Sequence, residues 1–208
     1  MTRDQIKSIG DDIAYMKAMA EEGSRGPLLG GSILVAAGLI FGPASLVHWA
    51  VQADILAIGM ANVTWIWMAA LVAFVVALAV LSRRVGRMPG AMSPANRASG
   101  TAWMAVGLSI FFLALSLAAM SYRIESALPA LIFPSLIVGL YGAGWAVSAA
   151  MSGQKWLWAP AYGGWLAAPV LAWFTGEPAQ YLVYAGVLML LTIAPGLVLM
   201  RQEPSDVV

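Results

Sequence analysis

Residues 55–100 read ILAIGMANVTWIWMAALVAFVVALAVLSRRVGRMPGAMSPANRASG, and the two parts of that stretch decide the fold. Ile55–Leu81 runs 27 residues without a charge, enough to cross a ~30 Å hydrocarbon core at about 1.5 Å per residue. Ser82–Gly100 then carries Arg83, Arg84, Arg87 and Arg97 and no acid. A long apolar run that stops at a block of arginines reads as a transmembrane helix ending at the cytoplasmic face.

The pattern repeats on both sides of this stretch. Leu28–Trp49, Thr101–Ser121, Ala127–Ala150, Trp156–Phe174 and Tyr181–Met200 are further uncharged runs of 19 to 24 residues. With 61% hydrophobic and 10% charged residues, the composition is that of a membrane protein rather than a soluble domain. The expectation is an all-α polytopic membrane protein with six spans over 28–49, 55–81, 101–121, 127–150, 156–174 and 181–200. Together these make a bundle over 27–201, with residues 1–26 before it and a short tail, 202–208, after it.

Charge orients the bundle. Six spans place ten of the eleven Lys and Arg residues on one side, leaving only Arg123 on the other with Asp54, Glu125 and Glu177. By the positive-inside rule both termini lie in the cytoplasm, and the expected location is the bacterial inner membrane. Residues 1–26 have no apolar h-region, so no cleavable signal peptide is expected.

Residues 2–22 read as a cytoplasmic amphipathic helix. Ile6, Ile9, Ile13, Met16 and Ala20 follow a spacing that puts them on one face, with Thr2 or Asp4 as the cap and Gly23 as the stop. Three basic residues (Arg3, Lys7, Lys17) against five acids (Asp4, Asp11, Asp12, Glu21, Glu22) give 3 − 5 = −2. A helix lying on an anionic leaflet would have the opposite sign. The apolar stripe therefore points to docking on protein: its own bundle, a second copy in a homo-oligomer, or a separate partner. Arg83, Arg84, Arg87 and Arg97 set topology in any case, and they also offer a basic surface for such an acidic helix.

Two aromatic–glycine patches form an internal echo. Tyr141, Gly142, Gly144 and Trp145 lie on the fourth span, and Tyr162, Gly163, Gly164 and Trp165 on the fifth, at matching depth. Small residues let neighbouring backbones approach, as Gly38 and Gly42 do on the first span, so the plain expectation is a tight helix contact. The sharper expectation is an aromatic-walled pocket for an apolar or quaternary-ammonium ligand. Trp65, Trp67, Trp145 and Trp165 lie deep enough that their indole N–H groups are expected to face the bundle. His48, Asp54, Arg123, Glu125 and Glu177 are expected as solvated groups at the outer face.

Much chemistry is excluded. With no cysteine there is no thiolate, disulfide or Cys nucleophile. No carboxylate or lysine lies within a span, and the single histidine is at a span end, which argues against proton or ion coupling. No catalytic residue, metal, cofactor or nucleic-acid partner is expected. Two functions remain: a non-enzymatic sensory, scaffolding or accessory subunit acting through residues 2–22, or a small carrier or channel for a neutral or apolar solute. The carrier would use the proline-kinked spans four to six with Asn62, Thr64, Ser135, Ser148 and Thr192 as buried polar groups.

Overall fold

The computed structural model describes residues 12–16 and 27–203, and every described regular element is helical. After a helical segment at 12–16, the elements are α1 (Gly31–Gln52), α2 (Met60–Val85), α3 (Pro94–Arg123), α4 (Leu128–Leu131) and α5 (Phe133–Ser152). A 3₁₀ turn (Lys155–Leu157) leads into α6 (Trp158–Trp173). The chain ends with α7 (Ala179–Leu188), a π turn (Met189–Ile193) and α8 (Ala194–Gln202).

Five helical stretches are long and apolar enough to cross a membrane: α1, α2, α3, Leu128–Ser152 and Ala179–Gln202. The expected fifth span, Trp156–Phe174, differs. Its α-helix has only 16 residues, because the 3₁₀ turn takes up its start.

Two boundaries also differ from the sequence reading. The second helix begins at Met60 rather than Ile55, because the chain first turns through Asp54 at φ 56 and Ile55 N–H and Leu56 N–H both bond back to the Ala50 carbonyl. The third begins at Pro94 rather than Thr101. Ser93 caps it by accepting from Asn96 N–H at 3.3 Å, and Pro94 loses nothing at a first-turn position whose N–H has no helical acceptor. Residues 82–85 and 94–100 of the expected Ser82–Gly100 loop are therefore helical, and Arg97 sits on the first turns of α3.

The first helix packs antiparallel on the last. Its glycine face runs along the partner in step: Gly31 against the Gly196 carbonyl and Leu199, Gly38 against Thr192 and Ile193, Gly42 against Met189. Ser45 Oγ then donates to the Tyr181 carbonyl at 2.7 Å. α5 packs on α6, and α3 on α5 through a small polar knot. Ser148 Oγ donates to the Gly144 carbonyl (3.0 Å) and accepts from Trp103 Nε1 (3.2 Å), with Ser99 Oγ at 2.8 Å. α2 packs on α1. Although α2 and α3 are consecutive, they lean on different helices rather than on each other.

The arginine-bearing end is tied shut around residues 27–31. Asn96 Oδ1 accepts from Leu29 N–H (2.8 Å), while Nδ2 donates to the carbonyls of Pro27 (3.1 Å) and Gly90 (3.0 Å). From the other terminus, Glu203 Oε1 accepts from Gly30 N–H (3.1 Å) and Gly31 N–H (3.0 Å). A carboxylate there satisfies free N–H groups at the positive end of the α1 dipole. Asn96→Ala removes three of these bonds and is expected to cost about 1–3 kcal/mol in a denaturant titration of detergent-solubilised protein. Wild-type stability in that variant would show that the tie does not hold the helices.

Candidate functional site

Gly142 and Gly164 meet at the α5–α6 crossing. A Cβ on Gly164 would lie 2.8 Å from Gly142 N and 2.9 Å from the Val138 carbonyl, so only hydrogen fits there. Gly142 in turn makes room for the Trp165 indole. Gly144 faces Trp103 and Val106 of α3, and Gly163 faces Leu191.

The four aromatics of the two patches do not converge. Trp145 is fully buried, with Trp103 edge-on at 5.2 Å, and Tyr141 is edge-on to Trp103 at 5.5 Å. Tyr162 is 56% exposed on the outer side of α6, while Trp165, 41% exposed, lies over Gly142 at the edge of the crossing, and the two rings form a ladder with Trp158. Of the four deep tryptophans expected to face the bundle, Trp165 does so only in part and Trp65 is 72% exposed.

Trp145 has a specific task. Its Nε1–H donates to the Leu191 carbonyl at 3.0 Å, inside the π turn. In an α-helix that carbonyl would accept from the residue four positions on, which here is Pro195 and has no N–H. The indole supplies the donor that the proline lacks, and the helix widens locally around it.

The polar groups expected to line a path through spans four to six are paired or exposed. Ser135 Oγ donates to the Ala168 carbonyl (2.6 Å), Thr192 Oγ1 to the Leu188 carbonyl (2.7 Å), and Ser148 belongs to the knot with Ser99 and Trp103. Asn62 and Thr64, expected as buried, are exposed on α2.

Arg83 and Arg84 lie in the last turn of α2, where their charge suits the negative end of the helix dipole, and Arg87 follows in the turn beyond. Arg97 lines an open groove of about 620 Å³ with Thr101, Ala105 and Val147. All four arginines are exposed. On the N-terminal stripe, Ile13 and Met16 are 57% and 61% exposed. Ile6, Ile9 and Ala20, the caps at Thr2 or Asp4, and the stop at Gly23 lie outside the described residues.

A second cluster went unread in the sequence. His48, expected as a solvated group, is 8% exposed, because α2 and α7 close over it. Trp67 Nε1–H donates to His48 Nδ1 at 3.1 Å, and the imidazole stacks on Tyr181 with ring centroids 3.5 Å apart. An indole nitrogen only donates, so Nδ1 is the acceptor and the neutral ring carries its proton on Nε2. That Nε2 is buried with no partner, as is Gln52 Oε1 one helical turn further on. Tyr181 and Tyr184 are buried in one apolar cluster, and Tyr141 packs against it. The hydrogen bonds that reach this region use the Tyr181 backbone, His48 and Trp145, and none uses a tyrosine hydroxyl. The only sequence signal was one histidine at a span end, followed by Gln52 one turn later.

Among the described residues, no group of three or more His, Cys, Asp or Glu side chains is placed to hold a metal ion. Comparisons with protein families, curated proteins and solved structures find no match to this chain.

Proposed function

We propose that the chain is a six-span inner-membrane protein with both termini cytoplasmic, acting without catalysis as a scaffolding, sensory or accessory subunit. Its contact element is the amphipathic helix of residues 2–22. The observation that carries this reading is the exposure of Ile13 and Met16, 57% and 61%, on the apolar stripe of that helix. A stripe docked on its own bundle would be covered.

The partner is a protein surface rather than lipid, since the segment's charge of −2 opposes an anionic leaflet. A second copy of this chain fits first. Its exposed Arg83, Arg84 and Arg87 supply a basic rim for the acidic helix face, and the isoleucines supply the apolar contact. The Ile9→Asp/Ile13→Asp double variant should weaken association at least about tenfold, by native mass spectrometry of the protein released from nanodiscs. Raising salt should weaken the wild-type contact as well, because exposed charges are screened. An unchanged oligomeric state together with an unchanged set of captured partners would sink this reading.

A second reading, a small carrier or channel for a neutral or apolar solute, is favoured by one observation: the buried, unpartnered His48 Nε2 and Gln52 Oε1.

A further inference from the structure

We propose that the groove between α3 and α5 seats an anionic phospholipid, with its phosphate on Arg97 and an acyl chain along α3 toward the bilayer centre. The proposal rests on the membrane-spanning part of the reading above. It is independent of the N-terminal contact and of which side the termini face.

The length of α3 sets the depth of the charge. Arg97 and Arg123 are its only charged residues. Their separation along the helix is about 39 Å, taking 1.5 Å of rise per residue, against about 40–45 Å for a bilayer with its headgroup layers. Arg97 therefore stands at the level of the lipid phosphates, and every residue between the two arginines is uncharged.

Beyond Arg97 the helix edge is made of small residues. Ala98, Ala102 and Ala105, with Val147 of α5, line the open groove of about 620 Å³ that has Arg97 at its headgroup end. Ser99 and Trp103 point into the knot with Ser148, so the edge carrying Arg97, Thr101 and Ala105 is left exposed. From Arg97 to Ala105 the groove follows the helix for about 12 Å, within the roughly 15 Å of hydrocarbon in one leaflet. Thr101 also lines it, but its hydroxyl donates to the Arg97 carbonyl at 2.9 Å. The guanidinium is the polar group that the groove offers a ligand.

A cation at the end of an apolar trough selects an amphiphile with an anionic head. Arginine pairs with phosphate oxygens through parallel N–H groups, and the trough gives an alkyl chain its contact. A free phosphate would gain nothing from the alanines, so the phosphate is carried by lipid. A second copy of the chain fits less well, because a two-fold contact at this groove would set Arg97 of one copy against Arg97 of the other. No Asp or Glu lies on α3 or α5 to relieve that repulsion.

The test uses the full chain in nanodiscs of equal parts phosphatidylglycerol and phosphatidylcholine with identical acyl chains. Native mass spectrometry should show one phosphatidylglycerol retained at least about fivefold over phosphatidylcholine, the weight of one arginine at an anionic interface. Arg97→Gln should erase that preference. Arg123→Gln, the same loss of charge at the other end of the same helix, should leave it intact. Ala105→Leu keeps the charge but crowds the groove from an exposed position. It should lower the retained lipid about threefold or more, the weight of one methylene denied its contact. Melting temperatures of all three variants should match wild type, because the three positions are exposed. Glycerol phosphate, a phosphate head without chains, should not displace the lipid, and the Ile9→Asp/Ile13→Asp variant should retain it as wild type does. Equal retention of the two lipids, a preference indifferent to Arg97→Gln, or displacement by glycerol phosphate overturns the proposal. A dimer that excludes the lipid and is lost in Ala105→Leu assigns the groove to a second copy and overturns it too. Failure of the chain to enter nanodiscs would overturn the membrane reading along with this one, whereas the other outcomes overturn this one alone.

Discussion

Gly164→Val is expected to destabilise the bundle by about 3 kcal/mol, the upper end of the usual cost of overpacking. The argument is steric and local. The nearest atoms to a new Cβ at Gly164 are Gly142 N and Cα and the Val138 carbonyl, at 2.8 to 2.9 Å, and all are backbone. A flexible side chain could swing aside, but a helix backbone moves only by pulling α5 away from α6. Valine adds two methyl groups to that conflict, and its branched Cβ has few rotamers with which to escape. Gly107→Ala on α3 is the control, because a Cβ there meets nothing within 4 Å. It should leave stability unchanged or raise it by about 0.5–1 kcal/mol through helix propensity. Denaturant titration in mixed micelles measures both. Equal stability of the two variants would show that the α5–α6 crossing is looser than its geometry.

Trp145→Phe is expected to cost about 2–4 kcal/mol, combining a cavity with an unpaired carbonyl. Trp145 is 0% exposed, so nothing from solvent replaces what the smaller ring gives up. Losing the indole N–H strands the Leu191 carbonyl, for which Pro195 has no donor to offer. The claim can be isolated from simple packing loss. Pro195→Ala restores a backbone N–H at the α-helical position, and in the Trp145→Phe background it should return about 1 kcal/mol. In the wild-type background the same change should return little, because the carbonyl is already satisfied. Strictly additive effects of the two substitutions would refute the link.

The sequence carried the helical architecture well and the detail of the ends poorly. Long uncharged runs bounded by charge mark α1, α2 and α3 because hydrocarbon demands internally bonded backbone, and that demand acts on composition alone. The start of α3 was also written locally, in Ser93 followed by Pro94. It went unread because the surrounding glycines and prolines look like a loop. α6 shows a different limit: Trp156–Phe174 is apolar throughout, yet whether its first residues wind as 3₁₀ or α depends on contacts made by α5. The π turn at Met189–Ile193 has no local signature beyond Pro195, since its donor sits 46 positions earlier.

The same division holds at the candidate sites. The two glycine patches were visible because small residues at one depth admit close backbones, and Gly142 and Gly164 do face each other. Which aromatics face inward was not visible, because facing is set by the crossing angle rather than by spacing. His48 is the clearest case. Its burial follows from Trp67 and Tyr181, which lie 19 and 133 positions away, and no pattern around residue 48 announces either.

The pairing of the first helix with the last has a consequence for biogenesis. The nearest neighbours of Gly31, Gly38 and Gly42 lie among Met189–Met200, so this face of α1 has no partner until that segment has been made. Every intermediate made before then lacks the strip that closes it, and Glu203 then caps Gly30 and Gly31 at the seam. A chain lacking residues 189–200 would leave that glycine face uncovered. Closing this seam thus waits on contacts of long sequence separation, however early α1 itself is made.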